Sequence, residues 1–188
     1  MEDTLILYLH ILSATLLVGS SVASRLARRV VLGAADLASL RAAAEVVRCI
    51  SLANPGLAII LLASGLYLGS VGFWHAAWFW AAVAAWLINS LLAVGVVGPA
   101  GRRLGLAAAG AGDGTIPADV AALRRARAPA VAADVMIGLD LAVLLLMIAK
   151  PTTALAIVCL PAGVGLMLML GLADAGLAAR RAGAGTAA

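Results

Sequence analysis

Five apolar stretches of about twenty residues each decide what this chain can fold into. They run over Thr4–Ser24, Leu52–Phe73, Ala76–Gly98, Ala130–Ala149 and Thr153–Ala173. At a rise of ~1.5 Å per residue, about twenty helical residues cross the ~30 Å hydrocarbon core of a bilayer. The pattern predicts an all-α fold, a polytopic bundle of five transmembrane helices. Composition agrees. Of the 188 residues, 64% are hydrophobic and 12% are charged, against about a quarter charged in soluble domains. That is too little polar surface to coat a water-soluble globule.

The basic residues set the expected orientation. Arg25, Arg28, Arg29, Arg41 and Arg48 lie between spans one and two. Arg102, Arg103, Arg124, Arg125 and Arg127 lie between spans three and four, and Arg180 and Arg181 follow span five. With the N-terminus outside, every arginine is cytoplasmic and only Lys150 is outside, as the positive-inside rule favours. Residues 1–175 then form a single transmembrane domain, and 176–188 a cytoplasmic tail whose "AGAGTAA" end is expected to be disordered. Arginine scattered between spans, rather than along one stripe, excludes a nucleic-acid groove despite the net charge of +4. The Arg, Ala and Gly bias suits a GC-rich bacterial genome and hence a bacterial cytoplasmic (inner) membrane. The first span, led by Glu2 and Asp3, is long enough to cross and reads as a retained helix rather than a signal peptide.

The loops carry their own expectations. "RLARRVVLGAADLASLRAAAEVVR" reads as helix, with Arg41–Glu45 and Glu45–Arg48 as side-chain pairs. It extends span one and returns the chain, or anchors on anionic lipid. "GLAAAGAGDGTIPAD" reads as a flexible linker followed by a short helix opened by Pro117. The short turn at "GFWHAAWFW" makes spans two and three antiparallel neighbours, and Tyr67, Trp74, Trp78 and Trp80 form an aromatic belt. Thr152 or Thr153 is placed to cap span five. Pro161 is placed to kink it, and Gly163, Gly165, Gly65 and Gly69 to permit close helix approach.

Few polar groups lie within the spans: His10, Asn89, Asp134 and Asp140. Such groups cost at least ~2.5–3.5 kcal/mol when ionisable, so each should face a partner or cavity. Counting helical rise from the outer boundary puts His10 at about 9 Å, Asp140 at about 15 Å, Asn89 at about 20 Å and Asp134 at about 24 Å. His10 can therefore meet Asp140, and Asn89 can meet Asp134. Otherwise Asp134 is held by an arginine such as Arg25 or Arg127. Asp174, at the membrane edge, is expected to pair with Arg180 or water. For His10, three roles stand open: a structural hydrogen bond, a ligand to haem or copper, and a proton relay. His75, Cys159 and Met147 are the other metal-ligand candidates on the same side. Cys49 and Cys159 have no zinc spacing, and a disulfide between them is not expected.

Several stretches also resemble a known group. "YLHILSATLLVGSSVASRLARR", "NPGLAIILLASGLYL", "FWHAAWFWAAVAAW" and "MIAKP" together resemble the CopD-like and HemJ-like membrane proteins over about residues 5–151. The pattern is closest to the uncharacterised predicted integral membrane proteins grouped with them. The resemblance implies a haem- or copper-related role, since HemJ-like proteins bind haem b and oxidise protoporphyrinogen and CopD-like proteins are linked to copper uptake. By position it assigns His10 as the haem ligand and Lys150 as the closing lysine. The chain departs from the pattern at three places. No lysine follows Trp74-His75, "WLINSL" replaces a late histidine in span three, and "RARAP" keeps only Pro129 of an Asn-Glu-Pro. These departures count against protoporphyrinogen oxidation and leave haem or metal binding.

The expected function is thus a membrane protein binding haem b or copper in its outer half, with His10, Asp140 and Lys150 around a cofactor. The ligands to a metal would be His10, His75, Cys159 and Met147. The alternative is a non-enzymatic permease or structural subunit in which His10 and Asp140 are only hydrogen-bonded. Lipid is the implied partner, with a second copy of the chain or another membrane subunit as further candidates.

Overall fold

The computed structural model describes residues 1–151 and 153–184. Every described element is helical, and five helical segments are long and apolar enough to cross a membrane. Helix α1, Glu2–Gly33, is unbroken for 32 residues, or ~48 Å. It therefore projects well beyond the expected boundary at Ser24. The chain turns at residues 34–36, where Asp36 accepts a bond from the Ser39 backbone N–H at 2.8 Å and caps α2, Leu37–Leu52. These bonds hold the exposed Asp36 carboxyl below its ordinary range. Pro55 opens α3, Asn54–Gly72, after a break at Ala53.

A turn over residues 73–76 leads into α4, Ala77–Leu92. One turn of π-helix, Ala93–Val97, joins α4 to α5, Gly98–Gly110. The short α6, Ala118–Arg124, follows Pro117 as expected, although α5 carries helix further into the glycine-rich stretch than its residues suggested. Helix α7 spans Arg127–Ala149 and α8 spans Thr153–Ala184 with Pro161 inside it. Thus α8 continues past the expected end at Ala173. Thr152, a candidate cap, and the final residues 185–188 lie outside the described residues.

Helix α1 packs on α3, α2 and α7; α4 packs on α7 and α8; α7 and α8 form the closest pair. That last contact is backbone to backbone. A Cβ on Gly138 would lie 2.6 Å from the Gly163 carbonyl oxygen, so only glycine fits. Gly165 meets no neighbour, so of the two glycines expected to allow close approach on α8, only Gly163 is used. The turn at 73–76 places α3 beside α4, but each arm packs more on another helix, α3 on α1 and α4 on α7. Trp78 is a correction to the expected belt: it is buried with Phe79, Leu146 and Ala156, while Trp74, Trp80 and Tyr67 remain exposed.

At the arginine-rich end, Val31, Leu37, Leu40, Ala43, Ala108 and Val120 form a separate apolar cluster. It joins the end of α1 to α2, α5 and α6. Arg41 does not pair with Glu45. Its Nε donates to the Ala108 carbonyl at 2.8 Å and its Nη1 bonds Asp113 at 2.9 Å, so it satisfies the carbonyl end of α5. Glu45 pairs with Arg48 as expected. The first loop is therefore a packed cap on the bundle.

Candidate functional site

One stripe of α1 carries four half-buried polar side chains. His10, Ser21, Arg25 and Arg28 recur at three turns, one turn and one turn, so they share a face. Leu5, Tyr8, Leu12, Leu16 and Leu26 lie on the opposite face and are exposed, as lipid-facing residues should be. Three polar sites follow along this stripe.

The first is near the tryptophan-rich end. His10 Nδ1 lies 3.1 Å from Ser64 Oγ of α3. Ser64 Oγ is also 2.6 Å from the Ile60 carbonyl oxygen and 3.2 Å from that of Leu61. Carbonyls only accept, so the single Ser64 proton goes to them, and the hydroxyl oxygen accepts the Nδ1–H of His10. This network assigns the neutral imidazole its proton on Nδ1 and leaves the Nε2 lone pair free. Gly65 makes the approach possible: a Cβ there would be 3.0 Å from His10 Cε1.

His10 lines a cavity of about 80 Å³ at the centre of α1, α3, α4 and α7. Its walls are otherwise apolar, including Leu62, Phe79, Trp86, Val143 and Met147. Met147 is thus the one other sequence-expected ligand at this cavity. Cys159 packs instead against the Trp78–Phe79–Leu146–Ala156 cluster. His75 is exposed in the 73–76 turn. Lys150 is exposed in the left-handed conformation that ends α7, with its Nζ 4.6 Å from the centre of the Phe73 ring. None of Cys159, His75, Lys150 or Asp140 lines the cavity. No group of three or more His, Cys, Asp and Glu side chains that could hold a metal occurs among the described residues. Both cysteines are free.

The second site corrects the pairings expected from depth. Asp140 does not meet His10. Its Oδ2 accepts from Ser21 Oγ at 2.8 Å, and its Oδ1 lies 2.6 Å from Asn89 Nδ2. Asn89 therefore reaches Asp140 rather than Asp134. Ser20 Oγ donates to Asn54 Oδ1 at 2.9 Å beside this group. The third site is ionic. Arg25 pairs with Asp134, as one of the sequence expectations had it, and also with Asp174 at 3.1 Å. Arg29 adds a bond to Asp174 at 2.7 Å, so that carboxylate is held from α1; Arg180, its expected partner, lies outside the described side chains. Gly171 of α8 leaves the space that the Asp134 carboxyl occupies.

Depth counting failed because it treats the helices as upright and unrotated. The partners of His10 and Asp140 were missed because Ser64 and Ser21 look like ordinary small residues. One signal was available: Ser21 stands three full turns from His10, on the same face.

No curated protein and no solved structure matches the chain. A family described as "Predicted integral membrane protein (DUF2269)" matches residues 4–151, which takes in α1 to α7 and the whole of the polar stripe. The chain belongs to that family of integral membrane proteins.

Proposed function

We propose that the protein is a multi-pass component of a bacterial cytoplasmic membrane, N-terminus outside, that binds copper(I) in the outer half of its four-helix core. The observation that carries this reading is the state of His10. Its Nδ1 is committed to Ser64 and its Nε2 lone pair is free, at a cavity shared with Met147. Imidazoles that ligate metals are usually fixed in this way through the other nitrogen, and thioethers favour soft ions such as copper(I). His10 and Met147 would hold the ion, and copper would supply one-electron redox chemistry or be the cargo.

Haem b does not fit the same site. Pockets for ligands of that size run to roughly 300–1,000 Å³, whereas this cavity is about 80 Å³. Its described walls also offer no second imidazole and no cation to meet a propionate.

A second reading, the non-enzymatic permease or structural subunit, draws on the hydrogen bonds themselves, because His10 and Asp140 both have protein partners. One preparation separates the two. Protein purified after growth with copper is analysed for metal and for visible absorbance. Stoichiometric copper that disappears in His10→Ala and weakens in Met147→Leu supports the copper reading. Copper-free protein that also takes up no added copper(I) overturns it, and a Soret band would reinstate haem.

A further inference from the structure

We propose that Asp140 is a proton-binding site in the middle of the membrane, with Asn89 accepting from the loaded carboxylic acid and Ser21 holding its other oxygen. Four observations meet here. The carboxyl sits in the interior of α7 with no arginine, lysine or histidine within ion-pair distance among the described residues. Both of its oxygens face neutral groups, Ser21 and Asn89. A permanently ionised carboxylate in such a place lacks the counter-charge that buried charges need.

The third observation is the geometry of the Asn89 contact. Its 2.6 Å is short for an N–H···O bond, which runs over about 2.7–3.2 Å, and ordinary for O–H···O, at about 2.5–3.0 Å. Which end of an amide is oxygen is an assignment made from the network. In the orientation shown, Asn89 Oδ1 is buried with no hydrogen-bond partner, and Nδ2 has only a 3.4 Å contact to the Met136 carbonyl as its other neighbour. Turning the amide by half a rotation brings that oxygen to Asp140 Oδ1, where a carboxylic O–H can donate to it, and gives up the contact of the amide N–H with the Met136 carbonyl. The fourth observation is the π-helical turn that starts four residues after Asn89 and packs against α7. Such turns recur at functional sites.

The surroundings of Asp140 add no competing charge. From α1 the nearest ionisable side chain past Ser21 is Arg25, which is engaged by Asp134 and Asp174, with Arg28 a turn beyond. His10 stands three turns the other way, on Ser64. Helix α4 and the π turn carry no ionisable residue. Among described side chains, α8 contributes Asp174, held by Arg25 and Arg29, and Cys159. On α7 itself, Asp134 is paired, and Arg127 and Lys150 lie at the ends.

The step is a simple transfer. A hydronium ion gives its proton to Asp140 Oδ1 and leaves as water. The new O–H donates to Asn89 Oδ1, and Ser21 Oγ–H stays on Oδ2. On release, the proton returns to water and the amide turns its N–H to the carboxylate.

Infrared difference spectroscopy on the full-length purified protein, titrated with pH, tests this. The expected result is the carbonyl stretch of a protonated carboxylic acid that shifts in heavy water, disappears reversibly as pH rises, persists in Asp134→Asn and is absent in Asp140→Asn. Ser21→Ala should keep the band and shift its titration midpoint, since it removes the hydrogen bond on Oδ2. A spectrum with no carboxylic-acid band assignable to Asp140 at any pH overturns the proposal. So does a band abolished at constant pH by added sodium, which would make the site one for a metal cation.

Discussion

The Ser64 hydroxyl has one proton and two carbonyls in reach of it, at Ile60 and Leu61. That small fact assigns the His10 proton to Nδ1, so the ring nitrogen left for a ligand depends on a residue that does not need to touch one. At the copper(I) site proposed above, Ser64→Ala should lower affinity by roughly 10–100-fold, the usual scale for losing such a support. Competition against a copper(I) chelator would measure it, and unchanged affinity would show that Ser64 does not orient the ring. Arg25 is the other pivotal residue. It bridges two carboxylates on two helices, and its side chain is 18% exposed. Exposed pairs contribute about 0–1 kcal/mol, and breaking buried ones costs about 3–5 kcal/mol. Arg25→Ala should therefore cost about 2 kcal/mol in reversible detergent unfolding, and Asp134→Asn less, since an amide oxygen still accepts from the guanidinium.

At the scale of elements, α1 has two functions on opposite faces: apolar residues toward lipid and a polar stripe inward. Helices α7 and α8 approach through Gly138 and Gly163 instead of through large side chains. Any side chain at Gly138 must push the backbones apart. Gly138→Ala should destabilise by about 1–3 kcal/mol, as overpacking does, and the loss should appear in the same unfolding assay. A full-strength fold in that variant would mean that the two helices can separate without cost. The π turn gives α4 and α5 different rotational settings on one continuous rod, and Gly98 beside it has no room for a Cβ next to the Ala93 carbonyl.

Over the whole molecule, four spans surround the small cavity, α8 lies outside them against α7 and α4, and α2, α5 and α6 close the arginine-rich end. The polar sites thus run in series from the tryptophan-rich end to the arginine-rich end. With the orientation proposed above, Cys49, which is exposed at the arginine-rich end, should react with a membrane-impermeant thiol reagent only after the cells are opened. His75→Cys should react in intact cells. Labelling of Cys49 from outside would invert the topology while leaving the fold untouched.

The five spans, their order, the helical loop and the short helix after Pro117 were all legible in the residues. They rest on local quantities: apolar length, charge and proline position, which act before any helix meets another. The ionisable residues within the spans, His10, Asp134 and Asp140, were legible for the same reason, because such a group in an apolar run stands out wherever the run packs; buried serines such as Ser64 were not. Partner choice was not legible. That His10 meets Ser64, Asp140 meets Ser21 and Asn89, and Trp78 turns inward depends on the tilt and rotation of each helix. Those angles are set by contacts such as Gly138 on Gly163 and Gly65 on His10, between residues far apart in the chain, and only the assembled bundle brings them together.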